Sequence, residues 1–288
     1  MTSPRSVLGF TLRSIELASG RIAYVDEGDG APIVLLHGAP LTSLGFVRVI
    51  RELRRHNRVL APDLPGFGYS RASPHFSGTL ESHAAFVEEF CRALSLEGIV
   101  FYVNDTSGSF GITAAARMAG NVAGLVVADT APIPLTGPAW VVKQILKHVL
   151  STRLIRFVNR RVNLLPWLVA SVAPWLRPFS ASERRVLLEQ FDTPGKRDRA
   201  IDLFEQMGCD DAFMRQAAAL ARERLAGTPT LILYGQFDPM RLIGGAARFR
   251  RMFPNSVVRI IPFEEHFPIL SSGERVARVV LDWMATPG

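Results

Sequence analysis

Ile99-Val100-Phe101-Tyr102-Val103-Asn104-Asp105-Thr106-Ser107-Gly108-Ser109-Phe110-Gly111 is the stretch that decides the fold. Ile99 to Val103 is a β-branched and aromatic run of strand length, while Ser107, Gly108, Ser109 and Gly111 are the small residues a tight strand-to-helix turn needs. So sharp a turn exposes one side chain at the carboxyl edge of a sheet. That side chain is the carboxylate of Asp105.

Working outward, extended apolar runs at Ile22 to Val25, Ile33 to Leu36, Val59 to Leu60 and Leu125 to Ala128 alternate with helical stretches such as Leu41 to Leu53 and Glu81 to Leu96. Such alternation predicts an α/β protein with a mostly parallel central sheet flanked by helices. Strand signals vanish from Pro132 to Leu225, where Val141, Ile145, Val149 and Leu150 recur at helical spacing. Alternation resumes with Pro229 to Tyr234, the helical stretch Leu242 to Met252, the strand Val257 to Ile261 and a last helix from Glu274 to Met284. The expected organisation is a core of residues 1–131 and 226–288 interrupted by a helical cap, 132–225.

Composition narrows the function classes. A chain of 288 residues, 48% hydrophobic and 20% charged, can bury the core of one large domain with an insertion. No apolar run approaches the roughly 18 residues of a membrane span, and the N-terminus, with Arg5 and no apolar block, reads as no secretory signal. A cytoplasmic monomer or homodimer is expected, without stable membrane insertion. Cys91 and Cys209 form no Cys/His cluster, so no metal or cofactor is expected. The net charge of +7 comes without an Arg-rich run interleaved with stacking aromatics, which argues against nucleic acid and leaves a small-molecule substrate as partner. Residues 132–225 hold 15 Lys and Arg against nine Asp and Glu, so most of that charge sits in the cap. Arg153, Arg156, Arg160 and Arg161 at helical spacing read as a solvated face, with an acidic substrate or a membrane surface as the other readings.

Open sheets of this class bind ligands at the carboxyl ends of their strands, and the chemical residues follow the apolar runs. His37-Gly38-Ala39-Pro40 comes after the second run and Asp63-Leu64-Pro65-Gly66-Phe67-Gly68-Tyr69-Ser70 after the third. Asp105, Asp129, Asp238 and His266 follow the later ones.

Taken in this order, the HGxP and DxxGxGxS matches, the strand-to-helix turn and the late histidine resemble the α/β-hydrolase fold family, nearer its haloalkane dehalogenase and epoxide hydrolase branch than its serine esterases. The resemblance spans the sheet portion at both ends, and implies that Asp105 is a nucleophile. In that branch the turn carries His before the Asp and Trp after it; here Asn104 and Thr106 stand in those places.

The physical roles follow from placement. A helix macrodipole favours a carboxylate at its N-terminus by ~0.3–1 kcal/mol, so Asp105 needs no base to activate it. It can displace a leaving group from saturated carbon, and a water activated by His266 can hydrolyse the resulting ester. Asp238 is placed to orient the imidazole, with Asp129 as the alternative acid. The backbone N–H groups of Ala39 and Thr106 are the candidate oxyanion hole. His37 is expected to organise that loop and Asp63 to fix its own turn. His37, Pro40, Trp140 and Phe267 are the candidate pocket residues.

The leaving group is less legible. Tyr24, Tyr69, Tyr102 and Tyr234 are the only tyrosines and none lies in the cap, where epoxide hydrolases of the branch carry theirs. Thr106 and Ala39 lack the side-chain N–H donors with which dehalogenases hold halide, leaving Trp140, Trp167 or Trp175 as cap donors. Two other readings stand beside the Asp-nucleophile hydrolase: an esterase or lactonase using Ser107, and a non-catalytic ligand receptor.

Overall fold

The computed structural model describes residues 5–131, 133–134, 136–172 and 180–286. Pro132, Trp175 and Arg177 lie outside the described residues, as does the side chain of Cys209. Among the described residues ten strands form one sheet: β1 (Arg5–Val7), β2 (Phe10–Leu17), β3 (Gly20–Glu27), β4 (Pro32–Leu36), β5 (Arg58–Pro62), β6 (Arg71–Ala72), β7 (Ile99–Asn104), β8 (Val122–Ala128), β9 (Thr230–Gly235) and β10 (Ser256–Ile261). Their order is β1-β2-β3-β5-β4-β7-β8-β9-β10, with β6 paired to β3. From β5 through β4 to β10 every pairing is parallel, and the N-terminal strands add antiparallel pairings.

All six β7 residues are buried, which is why β7 reads as a continuous apolar run. β2 instead alternates, with Arg13, Ser14 and Glu16 outside the core, and β1 and β6 are very short; a search for apolar runs passes over all three. Alternate strand residues divide between two cores. Val34, Leu36, Phe101, Val103, Leu125 and Val127 face one, and Ile33, Leu35, Val100, Tyr102, Val126 and Ala128 face the other. Two helical boundaries differ from expectation. Ser43–Phe46 is a 3-10 turn preceding the helix Val47–Leu53, and Gly244, at φ +88°, separates the short helix Pro239–Leu242 from Gly245–Met252.

Helix Ser107–Arg117 approaches the sheet closely because its inner residues are small. A Cβ on Gly111 would lie 2.6 Å from Val103 and 3.0 Å from Leu36. The direction of the chain reverses at β4 and β7, from which it passes to opposite sides of the sheet. Residues leaving the carboxyl ends of these two strands border the crevice where such sheets bind ligands. His37 and Asp105 leave from there.

Between β8 and β9 the described residues form the helices Pro138–Leu150, Arg153–Val162, Leu164–Val172, Ala181–Glu189, Pro194–Cys209 and Asp211–Arg224. The last packs against Ser107–Arg117 and buries Met214, Ala217, Ala218 and Ala221 in the sheet-facing core. Parallel β8 and β9 require a crossover that covers the sheet, and this helix supplies it. The helices before it reach the carboxyl edge. Leu187 shares the lining of one small gap and one core with Leu44, Ile269 and Leu270, and Arg199 comes against the Gly66 and Gly78 turns.

Arg153, Arg160 and Arg161 are exposed, as expected of a solvated face, but half-buried Arg156 bonds Asp202 and Glu205 and Arg160 bonds Asp198, so the stripe also joins two helices. The half-exposed Arg156 pairs contribute about 0–1 kcal/mol each. Arg161 lies over the Phe157 ring at 5.1 Å. Burial, then the nearby Glu88, pushes the Cys91 thiol up to about 12, which makes it unreactive. No described helix is long and apolar enough to cross a membrane.

Candidate active site

Asp105 takes φ +52°, a left-handed conformation that costs a residue with a side chain about 1–3 kcal/mol unless its surroundings enforce it. They do so through the backbone. Its N–H donates to Ala128 O at 3.3 Å, and its carbonyl accepts from Gly108 N–H at 3.1 Å and from the Thr130 hydroxyl at 2.6 Å. Glycines make the room: a Cβ on Gly38 would lie 2.4 Å from Asp105 Oδ2, and one on Gly108 would lie 2.0 Å from Thr130 Oγ1. Asp105 is 8% exposed, and Oδ2 has no hydrogen-bond partner among the described residues.

His266 follows β10. Its Nε2 lies 3.4 Å from Asp105 Oδ1 and its Nδ1 lies 3.0 Å from Asp238 Oδ1. Asp238 is fully buried and caps Pro239–Leu242, its Oδ1 also accepting from Met240 N–H at 2.7 Å. Burial by itself lowers the imidazole pKa. The hydrogen bonds to Asp105 and Asp238 and their charges outweigh it and hold His266 well above its usual range. Phe267 packs on the ring at 4.5 Å between centroids.

The loops that carry the acid and the histidine are tied together. Phe237 N–H donates to Glu264 O at 2.8 Å, and the buried Glu264 carboxylate accepts the hydroxyls of Ser271 and Ser272. Asp129, the alternative acid, is also fully buried, but its Oδ1 accepts from Gly235 N–H at 3.0 Å and the imidazole Nδ1 is bonded to Asp238.

Around His37 the structure places a scaffold. Leu64 N–H donates to Nε2 at 3.0 Å, which requires the proton on Nδ1, and Nδ1 donates to Gly38 O at 3.0 Å. Burial pushes this imidazole down to about 4, so it stays neutral and holds the loop. Asp63 is enclosed in the same way, accepting Ser43 N–H at 2.9 Å and Tyr69 N–H at 2.8 Å. Ala39 N–H, a candidate oxyanion donor, points at the Thr106 hydroxyl oxygen at 2.8 Å and so is engaged in the resting structure.

Ser107 Oγ is fully buried, accepting from Asn104 N–H at 2.8 Å and lying 2.7 Å from Leu36 O and 2.8 Å from Asn104 O. It ties three strand-end groups, and among the described residues no imidazole bonds to it. Trp140 and Trp167 are 40% and 47% exposed. Neither indole bonds to Asp105, His266 or Asp238 among the described residues. No group of three or more His, Cys, Asp or Glu among them is gathered as metal ligands are. Thr130, Glu264, Ser271 and Ser272 were not singled out by the sequence, since each acts on a partner brought near only by folding.

The model of the α/β-hydrolase fold family matches residues 31–272. Haloalkane dehalogenase 2 of Mycobacterium tuberculosis is 27% identical over 277 residues, which cover 95% of this chain and 94% of that protein. Among solved structures, haloalkane dehalogenase DbeA of Bradyrhizobium elkani superposes with TM-score 0.81 at 22% identity, covering 95% of this chain and 97% of its own. The epoxide hydrolase CorEH superposes with TM-score 0.80 at 21% identity, covering 96% and 99%. With an acid, a histidine and a second acid at the carboxyl edge of its two-sided sheet, the chain belongs to the α/β-hydrolase fold family.

Proposed function

We propose that this hydrolase cleaves a carbon–halogen bond in a small apolar substrate, with Asp105 as nucleophile, His266 as base and Asp238 as the acid behind it. One observation carries the reading: His266 Nε2 meets Asp105 at 3.4 Å, while the Ser107 hydroxyl is tied to Leu36 and Asn104. An Asp105 oxygen attacks the carbon, the C–X pair leaves with the halide, and a neutral ester forms. Before that step the imidazolium sits between two carboxylates. Ester formation removes one of them, so His266 loses a proton to solvent alongside the halide and becomes a base.

Neutral His266 then takes a proton from water, and the hydroxide attacks the ester carbonyl. The former Asp105 oxygen departs with the product alcohol, leaving carboxylate and imidazolium. The balance is haloalkane plus water giving alcohol plus hydrogen halide. Backbone N–H groups of Ala39 and Thr106 serve the tetrahedral intermediate if the Thr106 hydroxyl releases Ala39. Epoxide opening by the same nucleophile needs a proton donor for the ring oxygen, and no tyrosine lies in 132–225 to provide one.

A single turnover in heavy-oxygen water tests this, followed by digestion and mass measurement. Label in the Asp105 peptide with unlabelled alcohol is expected. Label in the alcohol alone would reject the ester route. Halide release across chloro-, bromo- and iodoalkanes, run beside an epoxide panel, decides the leaving group.

A further inference from the structure

Two fully buried carboxyl groups, Asp129 after β8 and Asp238 after β9, meet behind the histidine. Both come from the region of Gly235, whose N–H donates to Asp129 Oδ1 at 3.0 Å and whose carbonyl accepts Asp238 N–H at 3.2 Å. Gly235 thus joins the two acids, and their carboxyl groups lie close enough to act directly on each other. Yet Asp129 Oδ2 and Asp238 Oδ2 are both buried without a donor from any described residue. Two ionised carboxylates offer only acceptors to one another, so a contact of this kind needs a proton between them. One proton satisfies both orphaned oxygens.

We propose that Asp129 holds that proton and donates it to Asp238, which makes it a positioning residue for the acid behind His266; this rests on the nucleophile, base and acid roles proposed for Asp105, His266 and Asp238. The donor count decides which partner is neutral. Asp238 Oδ1 already accepts from Met240 N–H at 2.7 Å and from His266 Nδ1 at 3.0 Å, whereas among the described residues Asp129 has the one N–H of Gly235. The titratable groups acting on Asp129 are Asp238 and His266 from the catalytic loops, Tyr102 from β7 and Tyr234 from β9. Tyr234 donates its hydroxyl to Thr130 O at 2.7 Å and the Tyr102 hydroxyl has no partner among the described residues, so neither supplies the missing proton. Burial, then the charge and contact of Asp238, pushes Asp129 well above the carboxyl range. Asp129 takes φ +47°, so its backbone is also held in an uncommon conformation where the two acids meet. The dyad places one negative charge, in a fixed rotamer, behind the imidazole.

Infrared difference spectra of the resting protein at neutral pH, wild type minus Asp129→Asn, are expected to contain a protonated-carboxyl stretch assigned to Asp129. Asn keeps an oxygen for Gly235 and an N–H for Asp238, so the His266 titration followed by NMR should stay in place in that variant. Asp129→Ala removes both and is expected to reduce turnover about ten- to a hundredfold, with KM little changed. Absence of the band, or a fall of the His266 midpoint in Asp129→Asn by about a unit as when a full neighbouring charge is removed, would overturn the proposal. Neither resting-state measurement needs turnover. Should Asp129→Ala fail to fold, they still decide the matter; a chain inactive on every haloalkane refutes the proposed reaction and leaves the dyad standing.

Discussion

Replacing His266 with glutamine separates the two chemical steps. Attack by Asp105 needs only its own carboxylate and loses one contact at 3.4 Å, so ester formation should proceed. Ester hydrolysis loses its base. A positioned general base contributes about 10²–10⁴-fold, or about 2.7–5.4 kcal/mol at 1.36 kcal/mol per decade. If the two steps are comparable in the wild type, even the lower bound leaves about 99% of His266→Gln as ester at steady state. Intact-protein mass after incubation with a bromoalkane should rise by the alkyl group less one hydrogen, and fragmentation should place it on Asp105. Lost turnover without an adduct would refute the two-step reasoning, and an adduct on another side chain would refute the choice of nucleophile.

Ser107→Ala should lower the unfolding free energy by about 1–3 kcal/mol, because buried backbone groups at Leu36 and Asn104 lose a partner, while turnover per folded molecule is retained. Complete loss of turnover with an intact fold would restore the serine-esterase reading. In Gly38→Ala a methyl group placed 2.4 Å from Asp105 Oδ2 forces the carboxylate aside, and turnover should fall about a hundredfold while the circular dichroism spectrum is preserved. Normal kinetics in that variant would rule out the close approach. For His266 the folded pKa is raised, against burial, by Asp105 and Asp238. Its stability contribution is therefore complete below the unfolded value of about 6.5 and is lost as pH rises through the folded value. The stability difference between wild type and His266→Gln should shrink from about pH 6 upward in denaturant titrations. A difference that widens over that window contradicts the assigned sign.

The sheet and the acid–histidine–acid line were readable because both depend on signals local in sequence: buried parallel strands leave apolar runs, and chemistry sits one or two residues beyond each. What escaped depends on contacts between distant residues. Thr130 grips the Asp105 carbonyl across 25 positions, and Ala39 N–H reaches a hydroxyl 67 positions away. No periodicity encodes either bond. The helix Asp211–Arg224 carries the same 3.6-residue spacing as the helices before it, and only its packing on Ser107–Arg117 assigns it to the sheet. β2 was invisible for the opposite reason, since half of its side chains lie outside the core.

That crossover also bears on how the molecule can vary. Because Asp211–Arg224 carries the chain from β8 to β9, residues 138–209 are an excursion inserted before it and not the connection itself. The β8–β9 ladder, from Leu125 opposite Thr230 to Ala128 opposite Leu233, fixes the positions from which both acids emerge whatever the excursion contains. Loop-closure entropy grows only by about 0.6 kcal/mol per doubling of length. That excursion is thus an exchangeable part: lengthening, shortening or replacing it should leave the register of β8 and β9, and with it the placing of both acids, unchanged.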